Sequence, residues 1–330
     1  MADKDGVCVS TKQGTLTCYD LDLTTEIWDL KLSSEWIQHC MNSDNVFAVD
    51  SRSEMEPIFD GRSNVSVIDR KSGKLLHRIS NNHPMYAIRT FKNILATGDI
   101  TGIIRFYQII SVGESDGEDG KMLELFNTSK QTTNIAHLDN DNNNLVSGDE
   151  NGEIVAWDFK IGSKLGTVQS HQNINIIKVK WPLVITCSFV DRGIEIFNME
   201  NLSLVNYIDV HSASDVNIIN NVLIVAGEVY NRNSQVYTSL GHTFWNLTEL
   251  IGAEKTDMGN VQKRKIDLFN KDPCLRQCGT MDAFQGCFWN FPNCDGTDSH
   301  ERSSTNLSAV YGSDVFMTEN KALIKRSFWP

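Results

Sequence analysis

The sequence predicts an all-β protein built as a β-propeller, and three observations support this prediction. Residues Leu145–Val168 read LVSGDENGEIVAWDFKIGSKLGTV, in which short apolar runs are separated by polar turns that carry Gly152 and Gly162. The runs alternate with period two and are rich in β-branched and aromatic residues, as strands are. Weaker copies recur about once every forty to fifty residues. Repetition of one small antiparallel sheet at this spacing is typical of a propeller.

The copies can be aligned on the residue that closes the third strand of each. The aligned residues are Tyr19, Ile68, Tyr107, Trp157 and Phe197. An Asp or Asn, a polar turn and a further apolar run follow each of them except Tyr107, which is followed by Gln108 and then by the acidic segment Ser111–Lys121. This common register predicts one meander of strands for each copy.

Each full copy also needs an opening strand. The candidates are Trp36–Cys40, Met85–Phe91, Thr133–Leu138, Ile174–Lys180 and Val216–Ile219. The first copy lacks one, because only five residues precede Gly6. The C-terminal sequence LSAVYGSDVFMTENKALIKRSFW predicts three more short strands. We expect residues 307–330 to complete the first sheet and close the ring, since closure removes exposed sheet edges.

Composition and charge exclude several classes of function. The chain has 330 residues, 40% of them hydrophobic, and a net charge of −12. This balance argues against nucleic-acid binding, which needs a basic face. No apolar stretch approaches the roughly 20 residues that span a bilayer, and the N-terminal sequence MADKDGVCVS lacks the apolar core of a signal peptide. We therefore expect a cytoplasmic or nuclear protein that binds neither nucleic acid nor membranes.

The cysteines divide into two groups. Cys8, Cys18, Cys40 and Cys187 lie in apolar, strand-like runs, where we expect reduced thiols that pack as small hydrophobic side chains. The other four follow one another with the spacing C-x3-C-x8-C-x6-C at Cys274, Cys278, Cys287 and Cys294. Four thiols could hold a tetrahedral zinc ion, but the paired C-x2-C knuckles of zinc sites are missing. The favoured prediction is therefore free thiols and no cofactor, with zinc as the weaker alternative.

The repeats resemble the WD40 family. VSGDENGEIVAWD is similar to that family's Ser-Gly, Gly and Trp-Asp signature, and TCSFVDRGIEIFN and ATGDITGIIRFYQ match it more weakly. The resemblance covers about residues 6–227 and 307–330. It implies a β-propeller, usually of seven blades, that serves as an interaction platform. We accordingly expect a single domain over residues 1–330, with an irregular insertion at about 228–306.

The family stabilises many blades with a buried set of four residues: His before the first strand, Ser or Thr in the second, Asp in the following turn and Trp in the third. The fourth copy supplies Ser147 and Trp157, but Asn151 stands where Asp is usual and no His matches. In the fifth copy His171 and Asp191 match, while Phe197 replaces Trp. No copy carries the full set. We expect Trp157 to be a core residue.

A looser resemblance is to the F-box/WD-repeat substrate receptors of ubiquitin ligases, through SHQNINIIKVKWPLVITCSFVDRGIEIFNMENL. It implies substrate recognition in an SCF-type ligase. The F-box, a helical module before the propeller, has no counterpart in this sequence, so either the chain is partial or its function has diverged. A ligase adaptor is an expected partner if an F-box is missing from this chain.

Catalytic motifs are missing, because the sequence has no phosphate-binding Gly loop, no G-x-S-x-G and no H-E-x-x-H. The predicted function is a non-catalytic scaffold that binds proteins or peptides. The alternatives are a structural subunit of a trafficking or RNA-processing complex, or a zinc protein. The resemblance implies a partner-binding face made of the links between second and third strands and those that lead into each blade. Its candidate residues are Arg62, Asp99, Thr101, Glu150, Asn151, Asp191 and Arg192.

Overall fold

The computed structural model describes residues 2–3, 5–11, 14–32, 37–51, 63–113, 119–170, 174–187, 193–208, 213–219, 221–231, 236–247, 306–311, 314–319 and 322–327. The regular elements within these residues are strands, which confirms the all-β class. They pair as antiparallel sheets that repeat along the chain. In the same residues, no helix has the length and apolar character needed to cross a membrane.

The chain forms two compact units, Met1–Pro182 and Leu183–Pro330. The strands of the first unit, numbered in chain order, are β1 (Ala2–Asp3), β2 (Gly6–Ser10), β3 (Thr15–Tyr19), β4 (Glu26–Lys31), β5 (Ile37–Met41), β6 (Asn45–Ser51), β7 (Ser63–Asp69), β8 (Leu75–Asn81), β9 (Met85–Phe91), β10 (Ile94–Asp99), β11 (Ile103–Gly113), β12 (Asp119–Lys130), β13 (Ile135–Asp141), β14 (Asn144–Asp149), β15 (Glu153–Asp158), β16 (Lys164–Gln169) and β17 (Ile176–Lys180). Those of the second unit are β18 (Leu183–Cys187), β19 (Ile194–Asn198), β20 (Ser203–Ile208), β21 (Ala213–Ile219), β22 (Val222–Asn231), β23 (Val236–Asn246), β24 (Asn306–Tyr311), β25 (Asp314–Glu319) and β26 (Ala322–Ser327). The single domain expected over residues 1–330 stays a prediction.

Consecutive strands pair with one another in every sheet. In the first unit we call β1–β4, β5–β8, β9–β12 and β13–β16 the first to fourth sheets. β17 lies beside β13 and β14. In the second unit, β18–β20, β21–β23 and β24–β26 pair in the same consecutive order. Each group is therefore a meander, as the turn-marked repeats predict.

The predicted register marks agree with the observed strands, with one exception. Tyr19 closes β3, and Ile68, Trp157 and Phe197 lie one residue before the ends of β7, β15 and β19. Three C-terminal strands are also present, as predicted. The exception is Tyr107, because β11 continues beyond it to Gly113 and pairs with the equally long β12. Buried and more exposed side chains continue to alternate along this part of β11, and the buried Ile109 and Leu123 pack in the core.

Two expectations about the ends of the repeat array are wrong. The first sheet has its own opening strand, since β1 pairs with β2 through Ala2 opposite Val7 and Asp3 opposite Gly6. The first part of the predicted insertion at 228–306 is also regular, because β22 continues to Asn231 and pairs with β23. The strands β24–β26 pair among themselves, and closure of a ring by residues 307–330 stays a prediction.

A one-residue β-bulge recurs at the same place on the fourth strand of each complete meander in the first unit. The extra residues are Ile27, Leu76, Phe126 and Leu165. The second unit shows the same shift on β20, where Val205 is the extra residue. Each of these residues is apolar. A bulge bends its strand and increases the local twist, so the sheets share a curvature that their sequences alone do not reveal.

Aromatic rings pack together in the core between the third and fourth sheets. The Phe106 and Phe159 rings meet edge to face, with centroids 6.3 Å apart. The ring centroids of Phe91 and Phe159 are 6.1 Å apart. Trp157 belongs to the same cluster and is 3% exposed, which confirms it as a core residue. Burial of such large rings dominates the stability of a small sheet pair.

The cysteines of the first sheet differ from expectation. Cys8 on β2 and Cys18 on β3 lie directly opposite each other and form a disulfide, so the prediction of reduced thiols is wrong for this pair. Proximity explains the pairing, because directly opposed residues on neighbouring strands can hold their Cβ atoms close enough for the two sulfur atoms to bond. Cys40 is a free thiol, and both Cys40 and Cys187 are buried. Burial raises the pKa of the Cys40 thiol to about 12, which keeps it protonated at neutral pH.

Replacing Trp157 with Ala should lower the free energy of unfolding by roughly 3–5 kcal/mol, because it opens a cavity in a packed aromatic core. Urea denaturation measures this change. Ile161→Ala is the matched control, since Ile161 lies in the turn between β15 and β16 of the same sheet, is 61% exposed and should change stability by less than about 0.5 kcal/mol. Equal effects of the two substitutions would contradict the core assignment.

Candidate partner-binding face

The link between β14 and β15 is organised by a buried carboxylate. Asp149 ends β14, and its Oδ1 accepts hydrogen bonds from the backbone N–H groups of Asn151 at 3.0 Å and Glu153 at 2.8 Å. Its Oδ2 accepts a third, at 3.2 Å, from the N–H of Thr133. Asp149 has no exposed surface. One side chain therefore shapes the turn and ties it to the link that leads into the fourth sheet.

The link between β10 and β11 is built in the same way. Asp99 Oδ1 accepts from the N–H groups of Thr101 at 2.9 Å and Ile103 at 3.1 Å. Both links read Gly-Asp-x-x-Gly, as GDITG at 98–102 and GDENG at 148–152. The repeated Asp satisfies N–H groups that the turn leaves without a strand partner.

The second glycine of this pattern is required by close packing. Gly102 has φ of +81°, a left-handed conformation that residues with a Cβ avoid. A Cβ at this position would also lie 2.6 Å from the carbonyl oxygens of Gln131 and Thr133. The turn is therefore pressed against the link that leads into the next sheet. Two links from neighbouring sheets thus form one continuous polar surface.

Asp99 is not the exposed turn residue that we expected. It is fully buried, and Arg105 Nη1 donates to its Oδ2 at 2.5 Å. Burial opposes ionisation of Asp99, but the hydrogen bonds from Arg105, Thr101 and Ile103 outweigh it and lower the pKa of the carboxyl. Asp99 therefore acts inside the turn, and its side chain is not available to a partner.

The position of the buried Asp in the fourth sheet also needs correction. The sequence comparison placed Asn151 there, but Asn151 is exposed and Asp149 occupies the buried position. The missed signal was the Gly-Asp-x-x-Gly pattern that both links share. Polarity within a turn cannot distinguish the two residues, because only the Asp that ends the strand points back at the turn N–H groups.

Gln131 extends a buried hydrogen-bond network around Ser147 and Trp157 in the fourth sheet. Trp157 Nε1 donates to Ser147 Oγ at 2.8 Å, and that hydroxyl donates to Gln131 Oε1 at 2.6 Å. Gln131 Nε2 in turn donates to the carbonyl oxygen of Glu153 at 2.5 Å. Ser147 and Trp157 are thus both hydrogen-bonded, although this copy has no matching His. The network joins the core to the link surface.

The exposed part of this surface is rich in acceptor oxygens. Glu150 and Asn151 are exposed at the tip of the turn, and Thr132 is exposed on the neighbouring link. Asn134 Nδ2 donates to Glu150 Oε1 at 2.8 Å, which orients that carboxylate. Thr132 Oγ1 donates to Glu153 Oε2 at 2.9 Å. The surface thus presents anchored carboxylates that suit hydrogen-bond donors and positive charge.

Four of the seven predicted binding residues lie in the described part of the chain, in two equivalent turns. Asp99 and Thr101 share one turn, and Glu150 and Asn151 share the equivalent turn of the next sheet. The remaining members of the predicted set lie outside the described residues: Arg62, Asp191 and Arg192. So do the zinc alternatives, Cys274, Cys278, Cys287 and Cys294. Within the described residues, no group of His, Cys, Asp or Glu is arranged to hold a metal ion.

Comparison with known proteins adds little to this picture. No protein-family model and no curated protein matches the chain. Among solved structures, the crystal structure of the computationally designed Ika8 protein is similar, with a TM-score of 0.49 and 16% sequence identity. That match covers 77% of this chain and 83% of the designed protein. A similarity this distant carries no argument about fold or function.

Replacing Asp149 with Ala should cost about 2–3 kcal/mol of unfolding free energy, because it removes the acceptor for three backbone N–H groups at a buried site. Asn151→Ala, two residues away and exposed, should cost less than about 0.5 kcal/mol. Chemical denaturation of both variants checks the difference. A larger loss for Asn151→Ala would show that the turn is organised by Asn151 after all.

Proposed function

We propose that this protein is a non-catalytic protein–protein interaction scaffold, built as a WD40-type β-propeller of seven blades. The described strands group into seven antiparallel sheets of consecutive strands, which supports the proposed architecture. In the first unit, the opening strands β5, β9, β13 and β17 lie beside one another in that order, as the inner strands of neighbouring blades would. The strand order is thus the same within each sheet, and neighbouring sheets of the first unit follow one another in chain order.

The observation that carries the proposed function is the repeated link geometry. In two neighbouring sheets a buried carboxylate holds the turn from within, and in the fourth sheet Glu150 and Asn151 are exposed at the turn tip. A rigid frame with exposed polar tips is how scaffolds present binding residues, because loop positions can vary without loss of the fold. Partner binding is therefore proposed on these links.

The proposed binding residues are the exposed Glu150 and Asn151, the half-buried Thr101 and the members of the predicted set that lie outside the described residues. They are Arg62, Thr101, Glu150, Asn151, Asp191 and Arg192. Asp99 is left out because it is buried. In the described part of the face, Glu150 and the acceptor oxygens around it favour a partner segment that carries Lys or Arg side chains.

The more specific proposal is substrate recognition in an SCF-type ubiquitin ligase, in the cytoplasm or nucleus. It is supported by the resemblance to F-box/WD-repeat receptors alone. Affinity purification with mass spectrometry tests it. Recovery of a Skp1-like adaptor and a cullin would support the ligase role. A stoichiometric complex without them would favour a structural subunit of a larger assembly, and zinc in the purified protein, measured by atomic emission, would favour the metal-binding alternative.

Reversing the charges of Arg62, Glu150 and Arg192 together should abolish capture of the partners that co-purify with the unchanged protein. The physical reason is that opposite charges across an interface become like charges, which oppose both encounter and binding. Capture by the purified variant, quantified against the unchanged protein, measures the effect. The fold should persist, as judged by an unchanged melting temperature.

The matched control reverses three exposed charges elsewhere, Lys71, Glu124 and Lys160. It should retain the partners, because those residues lie away from the links between second and third strands. If the first variant keeps its partners, while deletion of Ser111–Lys121 or disruption of 228–306 loses them, then binding occurs elsewhere on the protein.

A further inference from the structure

Alternate side chains of β13 accept hydrogen bonds from the backbone of β17 and of Trp181, which directly follows it. The three pairs, each forty residues apart in sequence, are Ile177 N to His137 Nδ1 (3.3 Å), Val179 N to Asp139 Oδ2 (2.9 Å) and Trp181 N to Asp141 Oδ2 (3.0 Å). We call these three contacts the β13–β17 clasp. They supply acceptors to N–H groups that lie along the edge of β17, in the way a neighbouring strand would.

The clasp requires defined protonation states. A backbone N–H can only donate, so the Nδ1 atom that receives it must carry no proton, and His137 is therefore neutral. Asp139 must be ionised, because it accepts from Val179 and also from Arg89 Nε at 2.9 Å. The side chains of Arg89 and Asp139 are only 14% and 17% exposed, so their pairing is protected from solvent.

The surroundings of His137 oppose its protonation. Arg89 approaches from β9 and Lys178 from β17, while Asp139 lies on the same strand. Burial, followed by the charges of Arg89 and Lys178, lowers the pKa of His137 to about 3 against the opposing effect of Asp139. Burial would raise the pKa of Asp139, but Arg89 and Lys178 outweigh it and lower the pKa of that carboxyl. Asp139 therefore stays ionised in mild acid, and His137 is the group that responds.

We propose that the β13–β17 clasp is an acid-sensitive device, closed at neutral pH and opened when His137 takes up a proton. A proton on Nδ1 removes the acceptor for Ile177 and places a third positive charge beside Arg89 and Lys178. Because the pKa of His137 in the closed state lies below its ordinary value of 6.5, the closed state is fully favoured above pH 6.5. That preference is lost progressively as the pH falls towards about 3.

Native-state hydrogen exchange of the full chain tests the proposal. If His137 titrates near 6.5 once the clasp is open, the protection of the Ile177 amide should fall about thirtyfold between pH 7.5 and pH 5, after correction for the intrinsic exchange rate. Amides in the centre of β15 serve as the internal reference and should lose much less protection. Protection of Ile177 that does not change with pH would overturn the proposal.

Two variants separate the role of His137 from general acid sensitivity. His137→Gln keeps a side-chain acceptor that does not titrate, so protection at Ile177 should become nearly independent of pH. His83→Gln is the control, since His83 is exposed, and it should retain the thirtyfold change. Equal pH dependence in His137→Gln and the unchanged protein would overturn the proposal.

A second measurement decides the question if His137→Gln does not fold. Nuclear magnetic resonance of the His137 ring in the unchanged protein reports its protonation directly. A ring that stays neutral down to pH 5 in the closed state supports the proposal. A ring that titrates near its ordinary pKa, while the Ile177 amide remains protected, would contradict it.

Discussion

Neighbouring sheets of the first unit are joined by side chains that hydrogen-bond to the backbone of the next sheet. The contacts are Trp28 Nε1 to Arg70 O at 2.7 Å, Asn42 Nδ2 to Lys92 O at 2.8 Å and Asn127 Nδ2 to Ile161 O at 2.7 Å. A sheet of three or four short strands leaves many backbone groups at its edges and turns, and burying them without partners is costly. Trp28 supplies such a partner at a buried site, while Asn42 and Asn127 bond to exposed turns of the adjacent sheet. The apolar contact between sheets can therefore exclude water without leaving these polar groups unpaired.

The same requirement explains the construction of the proposed binding face. Asp149 and Gln131 point inward and use their polar atoms on backbone groups and on Ser147. Glu150 and Asn151 point outward and carry little of the structure. Residues that shape a link and residues that can contact a partner are thus separate, although they are neighbours in sequence. This separation lets a scaffold change its partners without changing its frame.

Much of the fold could be predicted from the sequence, because strands and turns are determined locally. Trp157 could be placed in the core since it ends an alternating run between two marked turns. The candidate site was less predictable. Asn151 and Asp149 are both polar and lie two residues apart in one turn, and only the direction of their side chains separates them. Gln131 gave no signal at all, because its partner Ser147 lies sixteen residues away on another strand.

By itself, the sequence determined the all-β class, the meander in each copy and the places where the turns need glycine. These features follow from alternation and turn chemistry, which act over a few residues. The tertiary structure decided that Asp99 is buried, that Gln131 accepts a hydrogen bond from Ser147 and that Cys8 pairs with Cys18. It also brought His137 to the backbone of Ile177, forty residues later. Such partners are set by how strands pair and sheets pack, and no local pattern in the chain encodes the distance between them.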